Sequence, residues 1–405
     1  MADPVSGSRP SGLPPAIVIG LDNVTGLQSA RLLDARGVPV VGIVGTPGHF
    51  ASRSRAVARV ISSELSGPGL VRTLNALAGT LSRRGVLVPC TDLAVLTVAE
   101  HDTDLAERYD FVEPQHDVVE LLMDKVRFAR HATTSGLAIP QTHILESRAD
   151  AVRAAGQLGY PAVLKPPVKT VEWQRSTREK VIPVDSSDEL LAAYDRCSAW
   201  ASPLLVQQWI DGEESDLYSC NCYYDRQSQP LATFIARKIR QWPPQTGTSS
   251  LGEECRNDEV LEESLRIFSS VGYRGLGYVE MKRDRKSGRH YVIEVNVGRP
   301  TGRSAIAEAG GVELLFTAYA DAARLPLPSA RTQHYGSAKW IYLRHDLQSA
   351  LHHWRRGDLR LTEWLKSLRG VRSDAVLSLR DPLPFAADLL QAARKGIRAE
   401  QRRRG

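Results

Sequence analysis

Three groups of residues in this 405-residue chain have types and spacing suited to work on a phosphorylated ligand. The strongest is a hairpin, Gly277-Tyr278-Val279-Glu280-Met281-Lys282 and Tyr291-Val292-Ile293-Glu294-Val295-Asn296, turning through Arg285-Lys286-Ser287-Gly288. A turn centred near Ser287 sets Glu280 opposite Glu294, and Asn296 shares the face of Glu294 because side chains alternate along a strand. Opposed carboxylates repel unless a cation joins them, and a hard ion such as Mg²⁺ accepts these oxygens while leaving room for phosphate. The bland alternative is two solvated acids and a turn-side asparagine. Lys125 and Lys165 form the second group: each sits in an apolar setting, and Lys165 ends an otherwise buried strand where an idle charge is costly. A snorkelling surface lysine is the competing reading for either one. The third group is Gln207-Gln208-Trp209-Ile210-Asp211-Gly212-Glu213-Glu214, which runs from a strand into a turn. Such a segment can offer backbone groups to an adenine edge, an apolar side chain to its ring and a carboxylate to ribose hydroxyls.

The elements that must position these groups alternate in type. Ala16–Gly20 reads as an apolar strand, Leu27–Arg36 as a helix and Val38–Val44 as a second strand, a β-α-β unit continued by a helix at 70–84 and a strand at 86–88. That alternation predicts a parallel sheet with helices on both faces. The turn Gly20–Gly26 is not GxGxxG, and Asp22 and Asn23 would crowd a pyrophosphate, which argues against a dinucleotide. An amphipathic helix is expected over 118–135, another over 149–158, and one beginning at Ser186, where Glu189 has capping-box spacing. Strands follow at 162–166, 204–210, 217–224 and 231–239, then a helix near 259–270 and the hairpin. The fold class is therefore α/β followed by α+β.

Composition narrows the class further. A chain this long exceeds one hydrophobic core, so two or three domains are expected. No run reaches the roughly 20 apolar residues of a membrane span, and the opening residues lack a secretory signal, so a cytoplasmic protein with a disordered leader is expected. The five cysteines (90, 197, 220, 222 and 255) contain no CxxC pair and read as reduced, buried thiols. Nothing points to nucleic acid. The formal charge is +6, but residues 331–405 hold 16 Lys+Arg against 7 Asp+Glu, so this segment carries +9 and the remainder −3.

Taken in order, Asp124-Lys125, Leu164-Lys165-Pro166, Gln207–Glu214 and Glu280 with Glu294-Val295-Asn296 resemble the ATP-grasp superfamily, specifically its carboxylate-amine ligases, over about residues 16–325. The resemblance implies a leader at 1–15, a pre-ATP-grasp α/β domain at 16–117, an ATP-grasp domain of two α+β subdomains at 118–328 and a basic C-terminal extension at 329–405. It implies that Lys125, Lys165 and Lys238 contact ATP phosphates, that Gln207 accepts the adenine amino group, and that the backbone of Gln208 and Ile210 reads adenine. Glu214 would hold the ribose. Glu280, Glu294 and Asn296 would coordinate Mg²⁺, or Mn²⁺ in its place, and Arg299 would stabilise the acyl phosphate. A homodimer is a further family expectation.

Three departures bear on these roles, one being that Gln207 stands where a Glu commonly accepts the adenine amino group, which a Gln carbonyl can also do. The segment after Lys165 has no glycine where many relatives have a glycine-rich phosphate lid, leaving Ser176, Thr177 and nearby basic side chains as substitutes. Asn296-Val297-Gly298-Arg299 is one residue longer than NxR, so Arg303 competes with Arg299 for the same task. The implied chemistry joins a carboxylate to an amine through an acyl phosphate; the alternatives are phosphoryl transfer to a non-amine acceptor and a non-catalytic nucleotide-binding scaffold. Substrate choice would fall to loops that include Trp173 and Trp242-Pro243-Pro244. His290 is expected to be an exposed strand histidine. A basic amphipathic helix at 385–398 is expected either to touch an anionic membrane surface or to pack across the protein with a frayed basic end.

Overall fold

The computed structural model describes residues 12–167, 171–177, 179, 181–244 and 247–404. Among them the strands form three sheets. The first holds β1 (Ala16–Ile19), β2 (Val40–Val44), β3 (Arg59–Ser62), β4 (Gly85–Pro89) and β5 (Tyr109–Asp110), in the order β3-β2-β1-β4-β5 with parallel pairing throughout. β1, β2 and β4 are buried along their whole length, as continuous apolar runs in a two-sided parallel sheet require. The turn after β1 is closed by its own side chains. Asn23 caps the helix Val24–Asp34 by accepting from Gly26 N at 2.8 Å, and Asp22 accepts from Thr46 N at 2.7 Å.

Most of the expected leader, residues 1–11, lies outside the described residues. Its last part is packed rather than loose: Pro14 O accepts from the Tyr319 hydroxyl at 2.6 Å and Pro15 O from Val86 N at 2.8 Å.

The second sheet, β6 (Thr142–Leu145), β7 (Ala162–Lys165), β8 (Ile182–Val184) and β9 (Leu204–Gln208), is antiparallel in the order β6-β9-β7-β8. Helices Arg148–Ala155 and Ser187–Cys197 bury their apolar faces with it in one core, which also takes in Trp173. The single helix expected over 118–135 is two, His116–Met123 and Lys125–Thr134. Asp124 breaks it. With an extended backbone, it ends the first helix and turns its carboxylate onto the N–H groups of Val126 (2.8 Å) and Arg127 (2.9 Å). That cap places Lys125 in the first turn of a new helix.

The largest sheet contains β10 (Leu217–Tyr224), β11 (Pro230–Trp242), β12 (Thr248–Glu254), β13 (Gly275–Arg283), β14 (His290–Val297), β15 (Lys339–Ile341) and β16 (Val371–Asp374), in the order β14-β13-β10-β11-β12-β15-β16. The last two strands come from the basic C-terminal segment, which therefore completes this sheet instead of hanging from it. Helix Leu343–Arg356 is fixed to β11 by the fully buried Asp346, whose oxygens accept from Arg240 at 2.9 and 2.8 Å. Asp381 ties the segment back to the first sheet's side through Arg31 (2.9 Å) and Ser54 (2.5 Å). In the final helix Phe385, Ala387 and Asp388 pack inward. The side chains beyond 393 lie outside the described residues.

Because Asp124 alone satisfies two N–H groups at the start of Lys125–Thr134, Asp124→Ala should lower stability by about 1 kcal/mol. Asp124→Asn should retain most of it. Urea denaturation followed by circular dichroism checks the pair, and equal losses would show that the cap is not what matters.

Candidate active site

The hairpin β13–β14 pairs Glu280 with Glu294 and Tyr278 with Asn296, so all four side chains share one face of the large sheet. Lys238 reaches Glu280 from β11, two strands away, with Nζ 3.0 Å from the carboxylate, and donates also to Gln241 Oε1 at 3.3 Å. Arg303, from the loop after β14, lies 3.5 Å from the same carboxylate, contacts the Tyr278 hydroxyl and donates to Ser249 Oγ at 3.1 Å. Burial by itself works to raise the Glu280 carboxyl, but Lys238 and Arg303 outweigh it and hold the group below its ordinary value.

Glu294 behaves oppositely. Its side chain stands at the open side of the cleft but is crowded by protein. That desolvation, then the charge of Glu280, raise it above the ordinary range against the pull of Arg299 and Lys125. Two facing carboxylates of one sheet are thus pushed apart in acidity, Glu280 downward by its cations and Glu294 upward by burial and by Glu280.

Positive charge comes from the small sheet. Lys165, at the end of β7, is lowered to about 8 by burial first and by the neighbouring charge of Lys125 second, with Glu294 acting the other way. Its Nζ donates to Gln207 Oε1 at 2.7 Å, and Gln207 in turn donates to Thr142 Oγ1 at 2.8 Å. Lys125 Nζ donates to Pro167 O at 3.0 Å. The structure therefore brings Lys125, Lys165, Lys238, Glu280, Glu294 and Arg303 around one cleft between the small and large sheets. Gln207, expected to accept the adenine amino group, accepts here from Lys165.

The remaining expected residues fall on the rim or beneath it. Gln208 N–H is taken by Gln141 O at 2.9 Å, so this backbone donor serves the sheet. Ile210 is buried, and Glu214 accepts from Gln241 N at 2.9 Å. Asn296 Oδ1 accepts from Arg299 at 2.6 Å, while Arg299 also pairs with Asp92 at the start of helix Asp92–Glu100. The extra residue before Arg299 is absorbed by Gly298, whose φ is +66° and whose missing Cβ leaves room for Val95 and Glu113. The two arginines divide the work: Arg299 braces Asn296, and Arg303 faces Glu280.

Sequence reasoning missed Lys282, whose ammonium lies 5.1 Å from the Trp209 ring centroid and is lowered by burial, with Asp211 and Asp216 opposing. The period-two run Tyr278, Glu280, Lys282 was the available signal. Asp92 carried no local signal at all, since it reaches Arg299 only through the fold. Trp173 is not a substrate-facing loop residue but core, packed edge-on to Trp200 at 5.9 Å. His290 is buried, its Nδ1 2.6 Å from Glu259 Oε2, because helix Asp258–Ser269 lies beside it. Of the lid segment, 168–170, 178 and 180 lie outside the described residues. Ser176 ends the short helix Val171–Ser176, and Thr177 accepts from Glu179 N at 3.0 Å.

Residues 246–329 match the family model for the ATP-binding domain of the carbamoyl-phosphate synthase L chain. The fold is similar to N5-carboxyaminoimidazole synthetase from Staphylococcus aureus, with TM-score 0.63, 16% identity and 86% and 87% of the two chains covered. The chain shares the fold of that synthetase. A second structural neighbour is the biotin carboxylase domain of Hydrogenobacter thermophilus 2-oxoglutarate carboxylase, solved with MgADP and bicarbonate, at TM-score 0.59, 16% identity and 79% and 72% coverage. In sequence, the chain is 26% identical over 189 residues to D-alanine--D-alanine ligase of Pseudomonas entomophila, covering 44% of this chain and 54% of that one. It is 22% identical over 237 residues to D-aspartate ligase of Enterococcus faecium, 55% of each. The chain thus spans about half the length of the curated relatives it matches.

The depressed Lys165 gives this cluster a pH signature. The lysine is a cation below about 8 and neutral above it, so affinity for an anionic ligand is full below that point and declines above it. Titration calorimetry with MgADP from pH 7.5 to 9.5 should show Kd rising by up to roughly tenfold per pH unit on the alkaline side. A flat profile would mean that Lys165 does not meet the ligand.

Proposed function

We propose that the chain is an ATP- and Mg²⁺-dependent ligase that joins a carboxylate to an amine through an acyl phosphate, releasing ADP and phosphate. The observation that carries this reading is the convergence of Lys125, Lys165, Lys238 and Arg303 on the opposed pair Glu280 and Glu294. A cleft with this cation excess fits a polyphosphate, and the opposed carboxylates with Asn296 fit a hard divalent cation that bridges it. When bound, Mg²⁺ neutralises charge between neighbouring phosphates.

The protein's own residues bind and orient. Lys125 and Lys165 hold phosphate oxygens, Gln207 fixing the Lys165 ammonium in place. Lys238 and Arg303 keep Glu280 ionised. Trp209 and Ile210 flank the adenine side, where backbone groups of the 207–214 turn read the base and Glu214 takes the ribose. A carboxylate oxygen of the substrate attacks the γ-phosphorus and ADP leaves; the amine then attacks the acyl carbon and phosphate leaves. Both steps spread negative charge over oxygens, so catalysis falls to placement and charge rather than to proton transfer by side chains. Arg299 stands beside Asn296, where it can meet the acyl phosphate.

The sequence relatives are named as ligases of D-alanine and D-aspartate, which supports an amino acid among the substrates. Need for ATP and the reduced cysteines support a cytoplasmic site of action. Among the described residues no helix is long and apolar enough to cross a membrane.

The test is phosphate release from MgATP with amino acids supplied singly and in pairs. Release should require both an acid and an amine and fall by at least roughly a hundredfold in Glu294→Gln. Release that needs only one acceptor lacking an amine would point to phosphoryl transfer instead, and binding without release from any pair would favour a scaffold.

A further inference from the structure

Helix Leu343–Arg356 is amphipathic in the wrong sense for a helix on a water-facing surface. Its inner face is polar: Asp346 and Ser349 are fully buried, and Asp346 accepts from Arg240, from Ser250 Oγ at 3.1 Å and from Trp364 Nε1 at 2.9 Å. Its outer face carries an apolar stripe beside the exposed Gln348, Arg355 and Arg356. Leu347, Leu351 and Trp354, one stripe at i, i+4 and i+7, are 48%, 42% and 61% exposed. The next helix, Leu361–Ser367, repeats the pattern, with Trp364 turned inward to Asp346 and Leu361 and Leu365 left 64% and 53% exposed.

The inner polar anchor explains why this arrangement persists. Arg240 lies in β11 and needs a buried carboxylate, so turning the helix over to hide its leucines would leave that cation unpaired inside the protein. The apolar stripe is therefore held outward by the fold. Isolated exposed leucines need no explanation, but a contiguous stripe with a tryptophan does.

Charge selects the occupant. Around the stripe stand the exposed Arg355, Arg356, Arg360, Lys366 and Arg369, against only Asp358 and Glu363. A two-fold contact with a second copy would bring together two copies of a patch with net positive charge, which repels. An anionic bilayer offers both a hydrocarbon boundary for the leucines and tryptophan and negative headgroups for the arginines. We propose that these two helices dock the protein on an anionic lipid surface, lying in the interface rather than crossing it. Arg240 is two residues from Lys238 in the same strand, so the docked helix and the ATP cleft are braced by one strand.

The full chain would be sedimented with extruded vesicles of phosphatidylcholine alone and of equal phosphatidylcholine and phosphatidylglycerol, beside Leu351→Ser/Trp354→Ser and Arg355→Glu/Arg356→Glu. The expected result is partitioning at least roughly tenfold stronger onto the anionic vesicles, and a loss of similar size in each double variant with the thermal melt unchanged. Wild type that stays in the supernatant would overturn the proposal. So would an apolar variant that binds as well as wild type, since charge alone would then suffice. A concentration-dependent dimer in sedimentation equilibrium, abolished by Leu351→Ser/Trp354→Ser without any vesicle binding, would assign the stripe to a second copy instead.

Discussion

The structure is organised around the cost of holding charge away from water. Glu280 is almost enclosed, and it is kept anionic only because Lys238 arrives from β11 and Arg303 from the loop after β14. Either cation alone in that position would need a partner of its own. Three separate chain segments must therefore be in register before any of these groups is stable, and the strand order β14-β13-β10-β11 is what supplies that register. Glu294, directly across the ladder, has no equivalent ion-pair partner among the described residues. Its carboxyl is held above its ordinary range by burial first and by the charge of Glu280 second.

Much of this was legible in the sequence because a hairpin writes its geometry locally. The alternation around Glu280 and Glu294 and the turn at Ser287-Gly288 determine which side chains share a face, and the observed pairing of Glu280 with Glu294 is the expected one. The parallel alternation of strands and helices before residue 110 was equally readable, since buried parallel strands are continuous apolar runs. Other features depend on contacts far along the chain. Asp124 reads as one polar residue in an amphipathic helix, and only its local cap shows that the helix restarts there. Gln207 looks adenine-facing by position, and the hydrogen bond its carbonyl accepts from Lys165 on the neighbouring strand is not written locally. His290 and Trp173 look exposed from their flanks, and are covered by elements that no local pattern announces.

The C-terminal segment shows the same principle at larger scale. Its sequence reads as a basic extension with a strand at 335–343 and a helix at 347–354; that strand and a second one extend the large sheet, and its Asp346 answers a buried Arg240 in β11. Asp381 then closes the loop to Arg31 at the first sheet's side. The segment is thus a brace between the sheet that carries the cleft and the N-terminal unit, and its removal would strand a buried arginine two residues from Lys238.

The central claim is that the cleft activates a carboxylate by passing it the terminal phosphoryl group of ATP. The most direct measurement is the fate of oxygen in the acid that stimulates phosphate release, supplied with ¹⁸O in its carboxylate and consumed together with an amine. An acyl phosphate predicts that one labelled oxygen appears in each inorganic phosphate formed. Unlabelled phosphate formed along with the product would contradict that route.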